Sequence, residues 1–327
     1  MKPPASKLSL FWLLALICPA VLGQQNPPSP LPALQVTHIH DQITFVSSNT
    51  FCHQGYAWDG TNHYSFDNQA IYVWRDDANW TSVSSNLSVF ATAPPGLNHL
   101  GDGDYYNGQL YLVAENWGGC GNYTNQSLLT FDAATLQLLS VHNVAADDHE
   151  VSGLAVVPSD GPNGTIYVTS YCDGSKIWEY DLSTFALIGT LALNQSIPAI
   201  QGITWANGLF YISQDYGNIY SLDYSGDVSL VYTSSIPGSH EGLKYVQGQI
   251  RWLIDGGLGH KFIYYVALDS VLLSFPASAA GWIVEASSGL GQPWFPVATG
   301  FAVTNSAGAS VVFPPPLRNT FYHLRQP

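Results

Sequence analysis

The feature that most constrains this chain is a short motif that returns along it. A polar residue and a glycine are followed by three or four strand-forming residues and then a turn. It reads HQGYAWDG at 53–60, IQGITWANG at 200–208 and HEGLKYVQG at 240–248. Looser copies are HLGDGDYYNG at 99–108 and EVSGLAVVPSDGPNG at 150–164. Aligned on their third position, Gly55, Asp102, Gly153, Gly202 and Gly242 stand 47, 51, 49 and 40 residues apart. Second strands follow the turns, as in QLYLVAEN and LFYISQDYG, and third strands follow those, as in KIWEYDLSTFALIG. Short strands at this period, joined by AspGly and AsnGly turns, predict an all-β chain folded as a single β-propeller. No segment sustains a 3.6-residue apolar period, so helix should be minor.

Six blades is the expected number, with five and seven left open, because the repeat fades after residue 265. SSGLGQPWFPVATGFAVT, from Ser287, reads as a decayed blade. A ring has to hide its free edges, so the strand-like LQVTHIHDQITFV near the N-terminus is expected to complete the last blade. The first residues, MKPPASKLSLFWLLALICPAVLG, have a basic start, a short apolar run and small residues before a cut after Gly23. That pattern predicts a secretory signal at 1–23 and a Pro-rich linker at 24–33, with the propeller over 34–327. The protein is therefore expected outside the cell or in the secretory lumen, with no membrane span.

Nine Lys and Arg against 23 Asp and Glu give a net charge of −14, and no basic patch offers a footprint for nucleic acid. Asn79, Asn86, Asn122, Asn125, Asn163 and Asn194 begin glycosylation sequons, which places them on exposed turns. Cys120 in GGCGN and Cys172 in SYCDG occupy matching places in successive repeats, so neighbouring blades would bring them together as a disulfide. Cys52 would then remain as a buried thiol.

The inner strand of each blade lines the central channel. Gln54, Asp102, Ser152, Gln201 and Glu241 are expected to ring the axis, with His53, His99, His149, Glu150 and His240 nearby. Acids, amides and imidazoles converging from different blades suit general acid–base chemistry. His53, Gln54, His99, Asp102, Glu150, Gln201, His240 and Glu241 are thus the candidate catalytic set. Tyr105, Trp117, Tyr171, Tyr216 and Trp252 are candidates for an aromatic wall against a small, hydrophobic, polycyclic substrate. The chain has no nucleophile elbow, P-loop, HExxH or dinucleotide fingerprint, and no metal or other cofactor is expected.

The leader, the sequons and the motifs NHLGDGDYYNGQLYLVAEN and HEVSGLAVVP resemble secreted fungal six-bladed propellers related to the SMP-30/gluconolactonase-like proteins. Some members of that group are hetero-Diels–Alderases of tropolone–sesquiterpenoid biosynthesis. The resemblance implies loss of water from a hydroxymethyl precursor to a quinone methide, then [4+2] addition of a sesquiterpene alkene, without a redox cofactor. It carries over no residue assignments. A metal-dependent lactonase is the alternative, with Glu241, Asp102, Asp104, Glu150 and Asp215 as ligands, although the acidic EGP start of that family is replaced by HQGYAW. A non-catalytic ligand-binding propeller is the third reading.

Overall fold

A computed structural model describes residues 53–255, apart from 78, 79, 207, 247 and 248, together with strands that flank this region on either side. The leader, the linker, Cys52 and the Asn79 sequon lie outside the described residues. The chain forms antiparallel sheets, four of which have their strands in sequence order. Blade 1 consists of Gly55–Trp58, Asn62–Asp67, Ala70–Arg75 and Ser82–Asn86. Blade 2 consists of His99–Tyr106, Gln109–Trp117, Tyr123–Asp132 and Leu138–Asn143. Blade 3 runs Gly153–Val157, Thr165–Thr169, Lys176–Asp181 and Leu187–Ala192. Blade 4 runs Ile200–Ala206, Leu209–Gln214, Asn218–Leu222 and Val228–Thr233.

Blade 5 has Ser239–Val246, Gln249–Asp255 and Lys261–Val266 in sequence order. Its fourth strand is Gln42–Val46, which runs antiparallel to Lys261–Val266 with Gln42 opposite Tyr265. The N-terminal strand therefore completes the last blade, as expected from the need to cover an edge. Among the described residues the ring closes on five inner strands, and the expected sixth blade is not found. The inner strand of blade 5 packs against that of blade 1, and the Gly242 N–H donates to the Gln54 carbonyl at 3.1 Å. The segment read as a decayed sixth blade contributes instead to two further sheets. One holds Leu34–Thr37, Ser270–Phe275, Gly308–Phe313 and Ala302–Asn305, and the other holds Phe295–Pro296, Ile283–Ser287 and Phe321–Arg325.

The core is divided between the blades. Ala57, Phe66, Leu110 and Phe131 fill the gap between blades 1 and 2, and Val113, Leu154, Val168 and Tyr180 that between 2 and 3. Ile177, Ile203 and Phe210 join blades 3 and 4, and Tyr211, Leu243 and Trp252 join 4 and 5. Tyr56, Trp80, Val246 and Leu253 join blade 5 back to blade 1. Each sheet thus buries both faces, which is why the inner strands read as apolar runs rather than strict alternations. At the outer hairpins of blades 2, 3 and 4, Asp132, Asp181 and Asp223 accept turn N–H groups two to four residues on. These Asx turns explain the recurring FDAAT, YDLST and LDYSG.

The axis explains the repeated glycine. Gly55, Gly153, Gly202 and Gly242 converge there, and a Cβ on Gly202 would stand 2.7 Å from the Gly242 Cα. Blade 2 places Asp102 at the same level, and its carboxylate fills the space that the glycines leave open. Oδ1 accepts the Tyr56 N–H at 2.9 Å, and Oδ2 accepts Lys244 Nζ at 2.9 Å. Lys244 also donates to the Leu154 and Ile203 carbonyls at 3.2 and 2.7 Å. The ion pair plugs the channel, with both side chains almost wholly buried.

Candidate functional site

A cavity of about 270 Å³ opens one residue layer above this plug. Its inner ring comes from the positions just before the axial ones: Gln54, Gly101, Ser152, Gln201 and Glu241, one from each blade. Side chains alternate faces along a strand, so the next members of the lining lie two residues back, as His99, Glu150 and Ser239. Trp117 and Tyr171 complete it from the outer ends of second strands, packed edge to face at 6.1 Å.

Both aromatic walls are anchored. The Trp117 N–H donates to Asn98 Oδ1 at 2.8 Å, and its ring stacks on His99 at 6.0 Å. The Tyr171 N–H donates to Glu150, and its hydroxyl donates to Asp215 Oδ2 at 3.2 Å. The predicted Cys120–Cys172 disulfide is present, with Cα atoms 5.5 Å apart, and it ties the loop after Trp117 to the loop after Tyr171.

Glu150 is the best-defined ionisable group of the cavity. Ser170 Oγ donates to its Oε2 at 2.8 Å, and the Tyr171 and Cys172 N–H groups donate to the same oxygen. Burial outweighs these bonds and raises its pKa to about 7. His99 moves the opposite way, because burial penalises the imidazolium and lowers its pKa to about 4. The usual order of a carboxyl and an imidazole is inverted, so between those values Glu150 keeps its proton while His99 is neutral. Behind them Glu115, fully buried, has its carboxyl raised to about 9, first by burial and then by the charge of Glu150.

The structure brings together Gln54, His99, Glu150, Gln201, Glu241, Trp117 and Tyr171 from the candidate set. Asp102 is elsewhere. Asp102 takes the axial place that a glycine holds in the other blades, while Gly101 takes the lining place. A shift of one residue moves a strand side chain to the other face. His53 binds Asp255 at 2.8 Å across the seam of blades 1 and 5. His240 lies against Trp252 with ring centroids 4.6 Å apart, and both are core residues between blades 4 and 5. Tyr105 stacks on Tyr64. It stands six residues along the strand from His99, about 20 Å away, at the other mouth of the channel. Tyr216 points outward and is 69% exposed.

Sequence reasoning missed Gly101 and Ser239. The two-residue alternation back from Glu241 would have found Ser239.

Of the five carboxylates that a lactonase metal would need, Glu150 and Glu241 line the cavity and the other three do not. Asp102 is held by Lys244, Asp104 accepts the Val156 N–H at 3.0 Å deeper in the channel, and Asp215 accepts from Ser239 and Tyr171. Among the described residues no three His, Cys, Asp or Glu side chains form a metal-binding group. Of the sequon asparagines, Asn122, Asn163 and Asn194 are exposed. Asn86 and Asn125 are half-buried and donate to the Leu136 and Gly96 carbonyls.

The fold and its channel-mouth cavity define a β-propeller. Residues 110–249 match a family described as "Repeat of unknown function (DUF6923)". A glutaminyl cyclase from Myxococcus xanthus is structurally similar, with a TM-score of 0.51 and 15% identity over 73% of this chain and 100% of its own. A gluconolactonase from Xanthomonas campestris gives a TM-score of 0.46 and 15% identity over 74% of this chain and 99% of its own. At such identities the likeness concerns the fold. A search of curated proteins finds no match.

Proposed function

We propose that this propeller is an acid–base enzyme of secondary metabolism, acting as a hetero-Diels–Alderase on a small ring compound held at the channel mouth. The observation that carries the reading is the inverted pair, a protonated Glu150 and a neutral His99 in one aromatic-walled cavity. Glu150 gives its proton to the leaving hydroxyl of a hydroxymethyl-bearing ring, and water departs. His99 takes the ring's phenolic proton, and a neutral quinone methide results. Gln54 and Gln201 supply amide donors for its carbonyl, which makes the heterodiene a stronger electron acceptor in the cycloaddition.

Trp117 and Tyr171 hold the flat ring, and the cavity is at the small end of ligand-sized pockets. It takes one ring system, and the alkene closes over its mouth. Orienting the two partners is itself a source of rate. Among the described residues no Lys or Arg lines the cavity, which suits a neutral substrate. The disulfide is compatible with folding in an oxidising secretory compartment, and no described helix is long and apolar enough to cross a membrane. Glycosylation at the exposed sequons belongs to the same reading.

The test is product analysis of the secreted protein with a tropolone carbinol and a humulene-type alkene, with and without EDTA. Enzyme-dependent adduct that survives EDTA is expected. Lactone hydrolysis abolished by EDTA would replace this reading with a lactonase, and saturable binding without turnover would replace it with a binding propeller.

A further inference from the structure

Two hydroxyls of the cavity lining meet on one carboxylate behind it. Ser239 reaches the lining from the inner strand of blade 5, and Tyr171 from just beyond the second strand of blade 3. Asp215 directly follows the second strand of blade 4, between them, and does not itself line the cavity. Its Oδ1 accepts the Ser239 hydroxyl, and its Oδ2 accepts the Tyr171 hydroxyl at 3.2 Å. The His240 N–H donates to the Asp215 main-chain carbonyl at 3.3 Å and to Oδ1 at 3.4 Å, which fixes the residue against blade 5. A hydroxyl has one proton and two lone pairs, and a carboxylate only accepts. Ser239 and Tyr171 therefore both commit their proton to Asp215, and among the described residues these hydroxyls make no other hydrogen bond. What they have left for the cavity is lone pairs. The reading above puts a proton donor, Glu150, in the same lining. A matching ligand then needs an acceptor for Glu150 and a donor for the hydroxyl pair.

We propose that Asp215 is a positioning residue that turns Ser239 and Tyr171 into a fixed pair of acceptors, so that the cavity selects a ring bearing a hydroxyl in addition to its leaving hydroxymethyl group. The inference rests on the reaction proposed above and narrows its substrate class. The ring hydroxyl donates to one oxygen of the pair while the ring lies against Trp117. A group without a proton at that place, such as an ether or a fluorine, sets lone pairs against lone pairs and leaves the acceptors unpaired. Discrimination of this kind comes from the direction of the two hydroxyl protons, and Asp215 sets that direction without touching the ligand.

The test uses binding alone, with no alkene and no turnover. The probes are the ortho, meta and para hydroxybenzyl alcohols, each paired with the fluorobenzyl alcohol of the same pattern, since fluorine is close in size and cannot donate. Dissociation constants are read by ligand-observed NMR on the wild type, Asp215→Asn and Ser239→Ala. At least one hydroxyl isomer should bind the wild type about tenfold more tightly than its fluoro partner. Asp215→Asn keeps the shape but sets an amide N–H against one of the two hydroxyls. That hydroxyl turns its own proton into the cavity, and the preference should fall to about threefold or less. Ser239→Ala leaves Asp215 in place and removes one acceptor, so it should also reduce the preference, and it serves if Asp215→Asn does not fold. Equal binding within every pair, or binding of no probe, overturns the proposal. So do variants that weaken both members of a pair alike, because a residue that only supports the wall does that. If the preference behaves as expected and the wild type makes no adduct with the alkene, the reaction assignment fails and the acceptor pair stands. Adduct without the preference overturns the pair and leaves the reaction in place.

Discussion

Asp102 and Glu150 are both buried carboxyls on the channel, in adjacent blades, and both have raised pKa values, to about 6 and about 7. Their surroundings differ in one respect. Asp102 faces an ammonium and is sealed among three glycines, whereas Glu150 is bonded only by neutral donors and borders a cavity. The first is committed to one partner and one charge state. The second can change its proton without breaking an ion pair. A raised pKa alone does not mark a functional acid. The absence of a fixed counter-charge, together with access, separates the poised carboxyl from the architectural one.

The largest effect should come from breaking the axial pair. Asp102→Ala leaves Lys244 charged and buried without its carboxylate, which costs about 3–5 kcal/mol. Chemical denaturation should show a greatly lowered midpoint or no folded protein. Joint replacement by Asp102→Leu and Lys244→Met should recover much of the loss, because neither charge is then stranded. If Asp102→Ala unfolds like the wild type, the axis is not held by this pair.

Glu150→Gln should do the opposite. The general-acid reading predicts a fall in kcat of about 10²- to 10⁴-fold. Stability should hold, and its pH dependence should change in a defined direction. A carboxyl raised in the folded state, from 4.5 to about 7, makes the native protein bind more protons than the unfolded chain across that window. Stability from this group is full below pH 4.5 and is lost as pH rises through 7, on the order of 3 kcal/mol in all. Glu150→Gln should remove that part of the slope, as read from denaturation midpoints at a series of pH values. An unchanged slope would show that Glu150 is not the group titrating there.

The wild-type kcat/KM should be bell-shaped. Protonation of His99 near pH 4 removes the base, and ionisation of Glu150 near pH 7 removes the acid. Activity peaking above pH 8 would exclude this assignment of roles.

The repeat was legible because glycine and its polar neighbour lie on opposite faces of every inner strand, so one motif encodes both the axis and the cavity. The Cys120–Cys172 bridge was legible for a related reason, since equal places in successive repeats become neighbours in space. The number of blades was not. It is decided by the contact of Gly242 with Gln54, nearly two hundred residues apart. Asp102 was misread by one position because it stands at the repeat position of the axial glycines, whereas the polar lining position before it is occupied by Gly101. The histidines were overvalued. His53 and His240 flank the motif in sequence, but odd and even positions part company at the strand, which sends His240 into the core.

The finest contrast is between two tyrosines at second-strand ends. Tyr171 is half-buried in the cavity wall with its hydroxyl on Asp215, while Tyr216 stands in solvent. Tyr171→Phe keeps the ring and loses one hydrogen bond worth about 1 kcal/mol, so KM should rise a few-fold with kcat little changed. Tyr216→Ala removes an exposed side chain and should leave KM, kcat and the denaturation midpoint within error, since surface substitutions of this kind stay within about 0.5 kcal/mol. Steady-state kinetics on the two variants would decide it. A larger KM effect at Tyr216 than at Tyr171 would move the substrate off the channel mouth and onto the outer rim of blade 4, and the contrast between committed and poised carboxyls would lose its functional meaning.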